Sequence, residues 1–345
     1  YYMTFDPKKC LVIGPSWVGD MVMAQSLFIV LKKKYPMMSI DVLAPTWSKP
    51  ILAAMPEVSD ALELPFVHGE LDLVGRWKLG YSLREKQYDW GIVLPNSLKS
   101  AIPLWAANIK RRTGYKGEMR YGLLNDIRNL DKHKLTQTVQ RFVGLAFEEG
   151  EYDGIYPYPS LDVNIEAQKQ ACEQFNINRS RPLVAICPGA EYGPAKRWPD
   201  KHVAVFAAQM MKLGYQVVLL GSEKDRVVTD AICILGELPE NVNLAGKTQL
   251  SEVIGLLAQA DVAVTNDSGL MHIAAAVGTQ VVAIYGSSDP NFTPPLSKQA
   301  EVISLGLSCS PCFKRECPLG TLACLEGIKP VQVLRRIQVS EELGS

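Results

Sequence analysis

The run Val262–His272, Val-Ala-Val-Thr-Asn-Asp-Ser-Gly-Leu-Met-His, constrains this chain more than any other stretch. A β-branched segment gives way to Asn-Asp-Ser-Gly, and the small residues Ile273, Ala274, Ala275 and Ala276 follow at once. The order is a strand, a tight turn and a helix start. Unpaired amides of a first helical turn and the positive end of the helix dipole then point at one spot, which makes it an anion site. Asp267 or Ser268 is expected to cap the helix. His272, one turn in, is expected to face the crevice, and a phosphate-bearing ligand is expected there.

The same grammar recurs along the chain. In the first half, strands are expected at Cys10–Ile13, Ile40–Leu43, Asp60–Leu64 and Gly91–Leu94. Met21–Lys34 has helical spacing and ends in three lysines, which suits a helix C-terminus. A helix closes at Ser82–Lys86. Residues 151–161 lose all periodicity to proline, glycine and tyrosine and read as a linker. Beyond them strands are expected at Leu183–Cys187, Gln216–Leu220, Val262–Thr265 and Val281–Tyr285, with a helix at Trp198–Leu213 and a final amphipathic helix at Lys329–Arg336. Strands alternating with helices imply right-handed crossovers and parallel sheets. The expected fold is α/β: two Rossmann-like doubly wound domains facing across a cleft. Their bounds are 1–160 and 161–328, with 329–345 packing back onto the body. Ligands of such sheets sit at the carboxyl ends of the strands.

Composition narrows the class. Lys plus Arg number 36 and Asp plus Glu number 36, so charge gives no reason to expect a nucleic-acid partner. No stretch of 18 uninterrupted apolar residues suggests a membrane span, and the first residues lack the apolar core of a signal peptide. A cytoplasmic protein is expected, resting on a membrane surface at most.

Several motifs sit at strand ends. Gly14-Pro15-Ser16-Trp17-Val18-Gly19-Asp20 follows the first strand but lacks the Lys-Ser/Thr of a P-loop and the third glycine of a dinucleotide fingerprint. It leaves the carboxylate of Asp20 at a helix start, either as a charge complementing the dipole or as a general base. Lys196-Arg197-Trp198-Pro199 follows Pro188-Gly189-Ala190. Lys196 there is either a solvated cation or a partner for a diphosphate. After the next strand, Glu223 or Asp225 can accept from ribose hydroxyls, as acids in Rossmann sites do, or simply cap a helix. Arg111–Gly114 and Gly117–Arg120 read as loops. Arg76, Lys99, Arg112 and Arg120, if gathered on one face, would hold an anionic substrate.

Of eight cysteines, Cys10, Cys172, Cys187 and Cys233 are scattered and read as small core residues. Cys309-x2-Cys312-x4-Cys317-x6-Cys324 is a cluster. Its spacing matches no standard zinc pattern, so it is read as a packed, reduced loop, with a metal site or metal or redox sensor as the competing reading. No metal ligand is assigned.

Taken in order, Gly14–Asp20, Lys196–Pro199 and Asn266–His272 resemble the ADP-heptose:lipopolysaccharide heptosyltransferases, and the resemblance covers nearly the whole chain. Pro188–Pro199 and Met119–Asp126 are most similar to the branch that adds the second heptose of the inner core. The resemblance implies the GT-B glycosyltransferase fold and an inverting, single-displacement transfer from ADP-heptose to a heptosyl-Kdo-lipid A acceptor. It implies Asp20 as base and Lys196 at the donor phosphates. Asp267, Ser268 and Gly269 would lie under the diphosphate with His272 adjacent. Glu223 would hold the ribose, Thr248 the adenine and Ser16 the transferred sugar; Gly189 belongs to the donor turn. Arg76, Lys99, Arg112 and Arg120 are the acceptor candidates. No cofactor is required, and no Asp-x-Asp metal motif occurs; a divalent cation can assist. The implied location is cytoplasmic, peripheral to the inner face of the inner membrane. Two alternatives stay open: another heptosyltransferase branch (I or III) or a related nucleotide-sugar transferase, and a non-catalytic nucleotide-sugar binding protein.

Overall fold

The computed structural model describes residues 5–66 and 69–337. The chain divides into two compact units, Tyr1–Asp162 and Val163–Ser345. Each is built on a wholly parallel sheet.

The first sheet has six strands: β1 (Lys9–Ile13), β2 (Ser39–Ala44), β3 (Asp60–Glu63), β4 (Trp90–Val93), β5 (Arg111–Tyr115) and β6 (Asp126–Arg128). Their order is β3-β2-β1-β4-β5-β6. β1 lies centrally, with Cys10 paired to Ile40 on one side and to Trp90 on the other. Residues Cys10–Ile13 are buried throughout, as expected of a parallel strand with both faces covered. Helices such as Val18–Lys34 and Leu98–Ala106 supply the crossovers. The chain order reverses between β1 and β4, so the segments leaving these two strands part to opposite faces and open a crevice at their carboxyl ends.

The second sheet comprises β7 (Leu183–Cys187), β8 (Gln216–Leu219), β9 (Val262–Asn266), β10 (Gln280–Ile284) and β11 (Ala300–Ile303), ordered β11-β10-β9-β7-β8. Here the reversal falls between β7 and β9. The core joins β-branched strand residues such as Val184, Val264 and Val282 to Phe206, Ile232 and Trp198 from the covering segments.

The structure departs from the sequence reading at several points. Arg111–Gly114 is not a loop but most of β5. Its two arginines masked the pattern because their charges are met by tertiary partners: Arg111 pairs with Asp126 (2.8 Å) and Glu148 (2.6 Å). Residues 151–161 are irregular, yet they are strapped to the helix Val18–Lys34. Ser26 donates to the Pro157 carbonyl (2.7 Å), and Gln25 exchanges two hydrogen bonds with the Ser160 backbone. The helix expected from Trp198 starts at Asp200, because Trp198 is buried and its indole donates to the Ile328 carbonyl (2.8 Å). The final helix is short, Pro330–Leu334, and packs on Asp200–Lys212. The remainder of the expected 329–345 segment, from 338 onward, lies outside the described residues. Among the described residues no helix is long and apolar enough to cross a membrane.

Candidate active site

In the second unit, the polar residues gather where β7 and β9 end. β9 runs into Asp267 and Ser268, and the helix Gly269–Ala276 begins immediately. Ser268 takes the N-cap position with extended backbone, but its side chain accepts no hydrogen bond from the helix. Neither Asp267 nor Ser268 therefore caps in the expected way. Asp267 is turned to Lys196, whose Nζ lies 2.6 Å from Asp267 Oδ2, and the Ser268 hydroxyl is buried without a partner. The first-turn amides are thus not consumed by a side-chain cap and stay open to an anion.

Asn266 fixes the opposing loop. Its Oδ1 accepts from the Trp198 amide (2.9 Å), and its Nδ2 donates to the Pro188 carbonyl (2.7 Å). One buried side chain thus ties both ends of the 188–198 loop to β9, which sets where Lys196 stands. The Lys196 ammonium also lies over the Tyr192 ring, 5.1 Å from its centre, a favourable cation–π position.

His272 is buried, and desolvation lowers its pKa from 6.5 to about 4; Asp267 works against that fall and Lys196 adds to it. The imidazole is neutral at physiological pH, so it adds no charge beside the Lys196–Asp267 pair.

Gly189 and Glu223 shape the next edge. A Cβ on Gly189 would stand 2.2 Å from Asp225 Oδ1, so only glycine lets this turn close on that carboxylate. Asp225 is itself held by the Ser222 amide and hydroxyl, both at 2.8 Å. That occupation separates the two acids: Asp225 supports the turn, while Glu223 is exposed. Glu223 also packs on Gly246, where a Cβ would come within 2.1 Å of its Oε2. Two residues further on, the Thr248 hydroxyl is buried without a partner.

The sequence reading missed Ser287 and Ser288. Both follow β10, and their hydroxyls are buried and unpartnered, as is that of Thr265 in β9. The signal was present: an apolar strand ending in Gly286-Ser287-Ser288 repeats the pattern seen after β9.

In the first unit the crevice between β1 and β4 holds two cavities. One, of about 310 Å³, is lined by Ser16, Trp17, Asp20, Asn96, Tyr115 and Arg141 among others. Asp20 lies in the first turn of Val18–Lys34 and is half-buried. The other, of about 750 Å³, is lined by Ser16, Arg76, Asn96 and Lys99 beside apolar Trp47, Phe66 and Leu71. Arg76 and Lys99 belong to its wall, where they also hold the backbone carbonyls of Glu70 and Leu71.

Arg112 and Arg120 do not join them. Arg112 sits near the start of β5, at the end of the sheet away from the crevice, with its guanidinium on the carbonyls of Leu123 and Ile109. Arg120 is 1% exposed. It donates to the carbonyls of Pro95 (2.7 Å) and Tyr115 and to Asn96 Oδ1 (3.3 Å), so it holds the 95–96 turn from behind. Neither residue lines either cavity.

A chain built of two units, each on a wholly parallel sheet with polar residues gathered at the strand ends, matches a known family. Glycosyltransferase family 9 (heptosyltransferase) aligns with residues 76–323. This chain belongs to that family. Among family 9 proteins it is similar to lipopolysaccharide heptosyltransferase 2 of Escherichia coli strain K12. The two are 47% identical over 338 residues, covering 95% of this chain and 97% of the relative. The Salmonella typhimurium protein of the same name is 48% identical, with 97% and 99% covered. Among solved structures, that of E. coli ADP-heptose lps heptosyltransferase II superposes with a TM-score of 0.85 at 45% identity, covering 95% of this chain and 97% of that one. As a family 9 member the chain is a glycosyltransferase enzyme.

Proposed function

We propose that this chain transfers heptose from ADP-heptose to the heptose of the lipopolysaccharide inner core, with inversion at the anomeric carbon. The observation that carries the reading is the pairing of Lys196 with Asp267 beneath uncapped helix amides. It is supported by near full-length similarity to relatives named for this activity.

In this reading the diphosphate of the donor rests on the Gly269–Ala276 helix start and on Lys196, with Ser268 and Gly269 beneath it. Glu223 accepts from the ribose hydroxyls, and Thr248 lies on the adenine side. The acceptor hydroxyl attacks the anomeric carbon as the bond to the diphosphate breaks. Asp20 takes the hydroxyl proton, and ADP leaves with the bonding electron pair. Lys196 and the helix amides stabilise charge that grows on the leaving group, and they are in place before it develops. Neutral His272 keeps the site from gaining a second cation. Ser16 adjoins the transferred sugar. The acceptor enters the cavity bearing Arg76 and Lys99, whose mixed lining suits a phosphorylated saccharide on a lipid. The protein then works at the cytoplasmic face of the inner membrane as a peripheral enzyme. The roles assigned need no cofactor, and a divalent cation is compatible with the diphosphate.

ADP release from ADP-heptose, with and without a heptosyl-Kdo-lipid A acceptor, tests this. Acceptor-dependent release is expected from the unaltered enzyme. Asp20→Asn is expected to lose about 10²–10⁴-fold in turnover while retaining donor binding. Absence of release by folded, unaltered protein would refute the assignment of donor.

A further inference from the structure

The cysteine-rich segment stands apart from the site just described. Residues 304–322 form neither helix nor strand and are mostly exposed. Loops of that length without structure of their own are uncommon inside a compact domain. This one nevertheless bears on the catalytic turn. Phe313 donates its amide to the Ser287 carbonyl (2.7 Å), and Ala195 donates to the Arg315 carbonyl (3.0 Å). Tyr192 donates its hydroxyl to the Phe313 carbonyl (2.6 Å). The loop is therefore the wall against which the turn carrying Lys196 is laid.

Apolar packing holds part of the wall, since Leu305, Leu322 and Cys324 rest against the core of the second unit. Cys309, Cys312, Cys317 and Cys324 all line one cavity of about 20 Å³, roughly the space of one water molecule. The backbone around them is shaped for an anion. Phe313, directly after Cys312, has φ 55°, and Gly320 and Leu322, after Cys317, have φ 67° and 48°. Left-handed residues at such places curl successive amides inward into a nest, a form that also surrounds metal–sulfur sites. The amides of Leu322, Leu319, Thr321 and Gly320 are directed at Cys317. Cys324 is partly buried and shares the cavity wall with Cys309, Cys312 and Cys317. Among the described residues no three His, Cys, Asp or Glu side chains are placed to hold a metal ion, so binding would require the four thiols to turn toward the shared cavity.

We propose that Cys309, Cys312, Cys317 and Cys324 form a tetrathiolate site for one thiophilic metal ion, zinc or ferrous iron, which braces the loop behind Lys196. Sulfur-only tetrahedral sets suit these ions. On binding, each thiol releases its proton to solvent and its sulfur donates a lone pair to the metal; nothing is oxidised or reduced. The role is structural, and it is independent of which sugar the enzyme transfers.

The test uses the full chain, kept reduced and purified on a tag that does not chelate metal. Elemental analysis is expected to find about one ion per chain; zinc or iron in that analysis decides between the two. Metal-free protein titrated with cobalt(II) is expected to develop the intense visible bands of tetrahedral tetrathiolate cobalt, which zinc then displaces. Cys312→Ser and Cys324→Ser are expected to lose the bands, while Cys233→Ser, outside the cluster, keeps them. If a cluster variant does not fold, alkylation mapping of unaltered protein gives the same answer. Zinc should then protect the four cluster cysteines as a set. Equal alkylation with and without zinc, together with no retained metal and no cobalt bands, overturns the proposal. A disulfide between two cluster cysteines in the freshly reduced protein's peptide map also overturns it.

Discussion

Replacing Lys196 with Met separates two tasks that this side chain performs. Its ammonium lies 2.6 Å from Asp267, with the two side chains 20% and 6% exposed. Met keeps the length of the chain and deletes the charge, which strands an almost buried carboxylate. Breaking a fully buried pair costs about 3–5 kcal/mol; the partial exposure of Lys196 brings the expected loss to about 2–3 kcal/mol. For a domain of roughly 150–250 residues each kcal/mol moves the melting temperature by about 2–4 °C, so the variant should melt roughly 5–10 °C lower. Turnover should fall by about 10²–10³-fold, the usual result of deleting one preorganised donor to developing charge. Adding Asp267→Asn removes the stranded charge. The double variant should regain most of the lost stability and none of the lost turnover. Calorimetry and acceptor-dependent ADP release read the two quantities separately. Recovery of turnover in the double variant would refute the reasoning, because it would mean that Lys196 serves only to neutralise Asp267. So would an unchanged melting temperature in the single variant.

Two further outcomes follow from the same geometry. His272 has its pKa lowered to about 4 in the folded chain, against about 6.5 unfolded. The unfolded state therefore binds the proton first as pH falls. The stability this burial confers is complete above pH 6.5, declines through the interval down to about 4, and totals ~3 kcal/mol; His272→Gln should flatten that part of a stability–pH curve measured by denaturant unfolding. Arg120→Met should leave the carbonyls of Pro95 and Tyr115 unsatisfied in the interior, costing about 2–4 kcal/mol. It should weaken acceptor binding through the displaced 95–96 turn while the donor KM stays unchanged; an acceptor KM that did not move would place Asn96 outside the acceptor cavity.

The parts of this protein that were legible in its sequence are those decided locally. β1, β7 and β9 each carry a short apolar run with a polar or glycine turn at its end, so both the strands and the positions of Asp20, Gly189 and Asp267 could be read together. β5 could not, because Arg111 and Arg112 suit a strand only once Asp126, Glu148 and several carbonyls from other elements are beside them. The same holds for Arg120: basic residues in sequence look alike, and only the fold shows that this one is buried. The hydrogen bonds by which Ser222 engages Asp225 and not Glu223 are likewise something that spacing alone does not reveal. Ser287 and Ser288 are a different matter, since the strand–turn pattern that exposes them was in plain view.

The missing cap at Ser268 reaches beyond catalysis. The amides of this helix start take no side-chain cap, and Lys196 and Asp267 pair beside them. If the donor diphosphate rests there, as proposed, it contributes to folding as well as to reaction, by about 2.7 kcal/mol when present at a hundred times its dissociation constant. Nucleotide-sugar supply and the lifetime of the folded protein are then joined in one thermodynamic cycle: a cell starved of donor holds not only an idle enzyme but a more fragile one.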